Sequence, residues 1–206
     1  MGFLSIVKGE VSFTRDVMPV LSKAGCNGGG CHGNQNGKGG FKLSLWGENP
    51  TLDHKNILSS EKRANPSNPE VSKLLRKPTL LENHEGDKRF DLKSEEYQIL
   101  HDWLKSGAKN DIDSAPQLES IRVFPSSVLL SAPNKKINLQ VKVKFSNGEE
   151  KDVSQWAVYE SANLGAEVSA GGELEFSQLG ETTVFVRYMG GRASMRAALI
   201  KANDNY

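Results

Sequence analysis

Cys26 and Cys31 are the only cysteines of the chain, four residues separate them, and His32 follows the second directly. Two thiols flanking a short turn, with an imidazole next in sequence, form the arrangement that fixes a c-type haem. The sulfurs add to the two vinyl groups and the adjacent imidazole binds iron. The usual spacer has two residues. Here it is Asn27-Gly28-Gly29-Gly30, and a spacer made almost wholly of glycine can bulge without Cβ clashes and still present both sulfurs to one edge of a macrocycle. Two other chemistries use the same side chains. Zinc could take Cys26, Cys31 and His32, but a structural zinc site wants a fourth protein ligand, and no second Cys or His pair stands at matching spacing. A Cys26–Cys31 disulfide would close a loop too short to stabilise much and would leave His32 without a role. Haem attachment is the most specific of the three.

The elements that must hold this cluster lie in the first half of the chain. The segment 11–25 places Phe13, Val17, Val20 and Leu21 on one helical face, with Ser12 as N-cap, Gly25 as stop and Pro19 as a kink or early end. A short helix follows Asn68 and Pro69, with Val71, Leu74 and Leu75 on its apolar side. The segment 94–107 is the strongest helix. Ser94 caps it, Glu95 and Glu96 suit the dipole of the first turn, Lys105 suits the last, and Gly107 ends it, with Tyr97, Leu100 and Leu104 in one stripe. Beyond the polar stretch 109–120 the period changes to two. Ile137, Leu139, Val141, Val143 and Phe145 alternate with polar residues, Asn147-Gly148 reads as a type I′ turn, and two further runs join at Gly190-Gly191. Short strands at this spacing predict a small antiparallel sandwich without a disulfide.

The expected architecture is therefore two domains: a mainly α, cytochrome c-like haem domain over 1–110, a linker over 111–118, and an all-β, immunoglobulin-like sandwich over 119–206. The chain has 206 residues and a formal net charge of +1, from 26 Lys and Arg against 25 Asp and Glu spread along it. Without a basic face, nucleic acid is not expected as a partner. The opening apolar run is too short for a signal-peptide core, and no stretch approaches the ~20 apolar residues of a membrane span. The Met-Gly start and ragged end read as those of an excised piece.

Several separated stretches, FTRDVMPVLSKAGCNGGGCHG, GKGGFKLSLWG, NPEVSKLLRKPT, NHEGDKRF and SEEYQILHDWLKSGA, together resemble the Planctomycete-type cytochrome c domain, whose pattern includes the four-residue spacer. From residue 119 the chain is similar to bacterial immunoglobulin-like domains of group 2, chiefly in strand pattern and the SNGEEKDVS turn. The resemblance implies one covalent haem c, parts of a large exported or periplasmic protein with further domains, and a histidine followed by glycines as the distal ligand. Here that position is His84 with Gly86. Met18 is the only internal methionine of this half and precedes the motif, which argues against a His/Met pair. His101 lies within the last helix, and His54 reads as solvated or capping. His84 sits just before the last helix, where small cytochromes bring a ligand across the haem face. Phe41, Leu43, Leu45 and Trp46 are expected to wall the pocket, and Lys88 and Arg89 to face the propionates.

The expected site is Cys26 and Cys31 for covalent attachment, His32 and His84 on iron, and Phe41, Trp46 and Arg89 around the macrocycle. The expected function is an electron-transfer module with no substrate turnover and a redox partner protein of undetermined identity. Two alternatives belong to other classes: a haem sensor or peroxidase-like domain whose sixth ligand dissociates, and a haem-free adhesion or carbohydrate-binding module.

Overall fold

The computed structural model describes residues 10–202. The apolar run at the N-terminus and the ragged end lie almost wholly outside them. The chain divides into two compact units, one running to Ala115 and the other from Pro116.

The first unit begins with a π-helical turn, Phe13–Val17, capped by Ser12, whose side chain accepts from the Arg15 amide. α1 (Met18–Lys23) continues it. Pro19 has no N–H to give the preceding turn, and that turn is the widened one. Phe13, Val17, Val20 and Leu21 are all buried, as the helical spacing requires. A 3-10 turn at Leu45–Gly47 precedes α2 (Pro50–Ile57), capped by Asn49. The segment after Asn68 is two pieces where one helix was expected. A 3-10 turn, Pro69–Val71, stops at Ser72, which is extended, and α3 (Lys73–Arg76) restarts after it. The cause is the Ser72 hydroxyl, fully buried, which accepts from the Asn65 amide and pins the chain there. Val71 is consequently left exposed. α4 (Glu95–Lys105) is capped by Ser94 and buries Ile99, Leu100, Trp103 and Leu104. Tyr97 is only half-buried, so the buried stripe is centred further round than expected.

Among its described residues the second unit holds ten strands: β1 (Leu118–Phe124), β2 (Ser127–Ser131), β3 (Lys136–Asn138), β4 (Gln140–Phe145), β5 (Glu150–Asp152), β6 (Val158–Ser161), β7 (Ala166–Val168), β8 (Glu173–Phe176), β9 (Gly180–Tyr188) and β10 (Gly191–Ile200). They form three sheets, ordered β1-β4-β5, β2-β10-β9-β6 and β3-β8-β7. All pairs are antiparallel except β2 with β10. One core unites them, built from Val141, Val143, Phe145, Leu174, Phe176, Val184, Val186 and Met195 among others. The run 137–145, expected as one strand, changes sheet at Leu139, whose amide donates to Gly172 O. The Asn147-Gly148 turn also differs from type I′. Only Gly148 is left-handed (φ 83°) and its amide returns to Phe145 O, so Ser146, Asn147 and Gly148 form a three-residue bulged loop. The type I′ pair falls instead at Met189 and Gly190, with φ 52° and 85°.

The expectation of a mainly α cytochrome-like domain leading an immunoglobulin-like pair of sheets is corrected by this architecture. Regular structure among the described residues is dominated by the ten strands, and the four α-helices there have 6, 8, 4 and 11 residues. Glycine and proline punctuate the first unit so often that turns and irregular backbone occupy most of it.

Candidate functional site

The site is built on the loop that leaves α1. Cys26 N donates to Leu21 O at 2.9 Å, which carries the chain off the helix end. The spacer then curls: Cys31 N and Gly33 N both return to Gly28 O at 3.0 and 3.1 Å, and His32 N reaches Cys26 O at 3.0 Å. Asn27 anchors the curl. It is buried, its amide donates to Ser22 Oγ at 2.8 Å, and its carbonyl accepts from Trp46 N at 3.0 Å. The glycine-rich spacer thus has defined geometry, and both thiols are free.

Both cysteines and His32 line a cavity of about 420 Å³, together with Phe41, His84 and Arg89. These residues come from the loop after α1 and the loop between α3 and α4. His32 Nδ1 lies 3.0 Å from both Lys38 O and Phe41 O. A carbonyl only accepts, so Nδ1 carries the proton and Nε2 the lone pair. Burial lowers the pKa of this imidazole while those two carbonyls oppose the shift, so the neutral ring is favoured. His84 repeats the arrangement: its Nδ1 donates to Asp87 O at 2.9 Å, leaving Nε2 as the acceptor nitrogen. The two rings face each other with centroids 6.5 Å apart and planes 15° from parallel. Phe41 flanks His32 at 4.7 Å between ring centroids. A side chain at Gly86 would press on the His84 ring, because a Cβ there would lie 2.9 Å from His84 Cε1 and 3.1 Å from Nε2.

Arg89 NH2 stands 3.7 Å from Cys31 Sγ, which puts the guanidinium at the thiol end of the cavity. Burial pushes the Cys26 thiol up to about 12, and the Arg89 charge opposes that rise. Lys88 pairs with Asp91 and is not part of the cavity wall. Trp46, expected as a pocket wall, does not line the cavity and packs on the spacer, 3.9 Å from the position a Gly28 Cβ would take. His54 belongs to the core: Nε2 bonds Ala108 O, and the ring lies edge-on to Phe13 and Trp103. His101 bonds Glu70 and stacks on Tyr97. The cavity also takes Lys73 and Lys77 from the segment after Asn68, and Lys62 and Arg63 from a segment in which the sequence carried no motif. Only their charge could have marked them, and solvated lysines share it.

Among the described residues no group of three or more His, Cys, Asp or Glu side chains could hold a metal ion. The zinc alternative falls on this ground. The reading of the chain as an electron-transfer cytochrome is corrected here as well. No such cluster accompanies the two imidazoles, and the regular structure is that of a β protein. No helix among the described residues is long and apolar enough to cross a membrane.

No family model matches the sequence, and no curated protein matches it. Among solved structures, the chain is similar to domains 1–6 of the surface-layer protein SbsC, with 16% identity, TM-score 0.35, and coverage of 43% of this chain and 14% of that one. Domains 4 and 5 of the same protein give 17% identity and TM-score 0.35 over 42% and 54% of the two chains. An endo-β-1,4-mannanase from Thermotoga petrophila gives 13% identity and TM-score 0.25 over 59% and 27%. The chain thus spans a small part of the first of these proteins.

Proposed function

We propose that the chain is a non-catalytic binding module of an exported or cell-surface protein, and that its second unit adheres to a hydroxylated polymer of the cell envelope. The observation that carries this is an open cleft of about 530 Å³ on the sheet β2-β10-β9-β6. Ser127, Asn163, Thr183 and Arg196 supply hydrogen-bonding groups there, beside Leu129, which is 65% exposed. Hydroxyl, amide and guanidinium groups around a small apolar surface are what a polysaccharide strand needs. The test is co-sedimentation of the full chain with insoluble envelope polysaccharide. Wild type should pellet, and Leu129→Lys with Thr183→Lys should stay in the supernatant. A wild type that stays in solution, or a double variant that pellets equally, refutes the reading.

A second reading concerns the first unit, and the paired imidazoles favour it: the cavity holds one covalent haem c. His32 and His84, whose Nδ1 atoms are taken by backbone carbonyls, would hold its iron through Nε2. Cys26 and Cys31 would form the thioethers, and haem bound there would supply a redox-active iron. The resemblance to the Planctomycete-type domain supports this cofactor. Electron transfer is no part of the reading. Protein made with a c-type maturation system should keep its colour through acid-acetone extraction and gain the mass of one haem. A colourless product of unmodified mass would remove the cofactor.

A further inference from the structure

The cavity wall is unevenly charged. Lys38, Lys62, Arg63, Lys73, Lys77 and Arg89 line it, and Glu85 is the one acidic residue among the lining residues. Some of these cations are already matched. Lys38 pairs with Glu85 at 3.4 Å, and Lys73 and Lys77 share Glu82 at 3.4 and 4.0 Å. Lys62 and Arg63 have no carboxylate partner among the described residues. Arg63 is the more built of the two. Its guanidinium carbon lies 4.5 Å from the Phe41 ring centroid, and NH1 donates to Asn56 O at 2.8 Å and to Ser59 Oγ at 2.6 Å. Burial lowers its pKa with no acid to offset the cost. The chain holds this segment in place through Lys73 N to Lys62 O and Leu74 N to Arg63 O, at 3.0 and 2.9 Å. A guanidinium held over an aromatic ring by two hydrogen bonds, beside a second unmatched cation, is preorganised for carboxylate. Arg89 belongs elsewhere, since its recorded side-chain contact is the Cys31 sulfur.

We infer that Arg63, with Lys62, is the anion-binding edge of this cavity and takes the paired carboxylates of a porphyrin, while Arg89 serves the thiol end. The inference rests on the haem reading of the pocket. It moves the propionate contact from Lys88 and Arg89, where the sequence placed it, to a segment with no sequence motif.

The experiment is an equilibrium titration of the full chain with zinc protoporphyrin IX and with its dimethyl ester, followed by porphyrin emission. The ester has the same macrocycle without the charges. Wild type should bind the diacid about tenfold more tightly than the diester, and added salt should shrink the difference. Lys62→Gln with Arg63→Gln should abolish the preference, Arg63→Lys should retain part of it, and Arg89→Gln should leave it intact. Equal binding of acid and ester by wild type overturns the inference while leaving the haem pocket standing, whether or not any variant folds. Binding of neither porphyrin removes the haem reading and the inference with it. Loss of the preference in Arg89→Gln, with retention in the Lys62/Arg63 variant, would return the edge to Arg89.

Discussion

Gly33 closes the Cys-Cys-His loop, and replacing it by alanine should disable that loop. A Cβ at Gly33 would stand 2.0 Å from Asn27 O, 2.7 Å from Asn27 C and 3.0 Å from Gly28 O, all of them backbone atoms. Asn27 O must retreat by more than about 1 Å to reach ordinary contact. That carbonyl holds Trp46 N, and Gly28 O holds Gly33 N, so two backbone hydrogen bonds are lost with the movement. At about 1 kcal/mol for each bond, with a further 1–3 kcal/mol, roughly, for overpacking, Gly33→Ala should cost about 3–5 kcal/mol. For a unit of this size that is a fall of roughly 15–25 °C in midpoint. Thermal unfolding followed by tryptophan fluorescence reads it, because Trp103 is fully buried in the same unit. Gly30→Ala is the control: a Cβ there meets nothing within 4 Å, and the midpoint should stay within about 1–2 °C of wild type. A Gly33→Ala protein that melts with wild type, or a Gly30→Ala protein that falls equally, would refute the close approach.

Two further outcomes follow from buried charge and from backbone strain. Burial raises the pKa of Asp53, and its bonds from Ser44 N and Oγ, at 2.5 and 2.6 Å, offset this only in part. The folded state then holds the proton more tightly than the unfolded chain. This group's contribution to stability is complete below the unfolded carboxyl value of about 4 and is lost as pH rises through the higher folded value. Urea denaturation should therefore show wild type losing stability relative to Asp53→Asn as pH climbs from about 4, and parallel curves would contradict the assignment. Leu80 is exposed and left-handed, with φ 60°. Leu80→Gly should raise stability by about 1 kcal/mol in the same assay, and a loss would show that its side chain is needed.

The parts of the site legible in the sequence are those that depend on neighbours along the chain. The spacing of Cys26, Cys31 and His32 forces them into one loop, and His84 could be singled out because it precedes a helix whose cap, Ser94, is itself written in the sequence. Caps and apolar faces were equally readable: Ser12 caps its turn, and Phe13, Val17, Val20 and Leu21 are buried together. Trp46 shows where the same reasoning fails. Trp46 is apolar and close in sequence, yet it packs on the spacer and does not line the cavity. Arg89 is near His84 in the chain and next to Cys31 in space.

The sequence by itself determined that the thiols and imidazole share a loop, that β-strands follow the polar stretch near residue 115, and where the longest helix starts and stops. Only the tertiary structure decided that His32 and His84 face each other with Nε2 free, because that requires carbonyls of Lys38, Phe41 and Asp87 to take the Nδ1 protons. Only the tertiary structure brought Lys62 and Arg63 to the cavity, and it divided the run 137–145 between two sheets at Leu139. The physical reason is common to all three. Periodicity and capping report interactions across three or four residues, whereas a cavity wall and a sheet order are set by hydrogen bonds and packing between segments tens of residues apart, for which local side-chain pattern carries no signal.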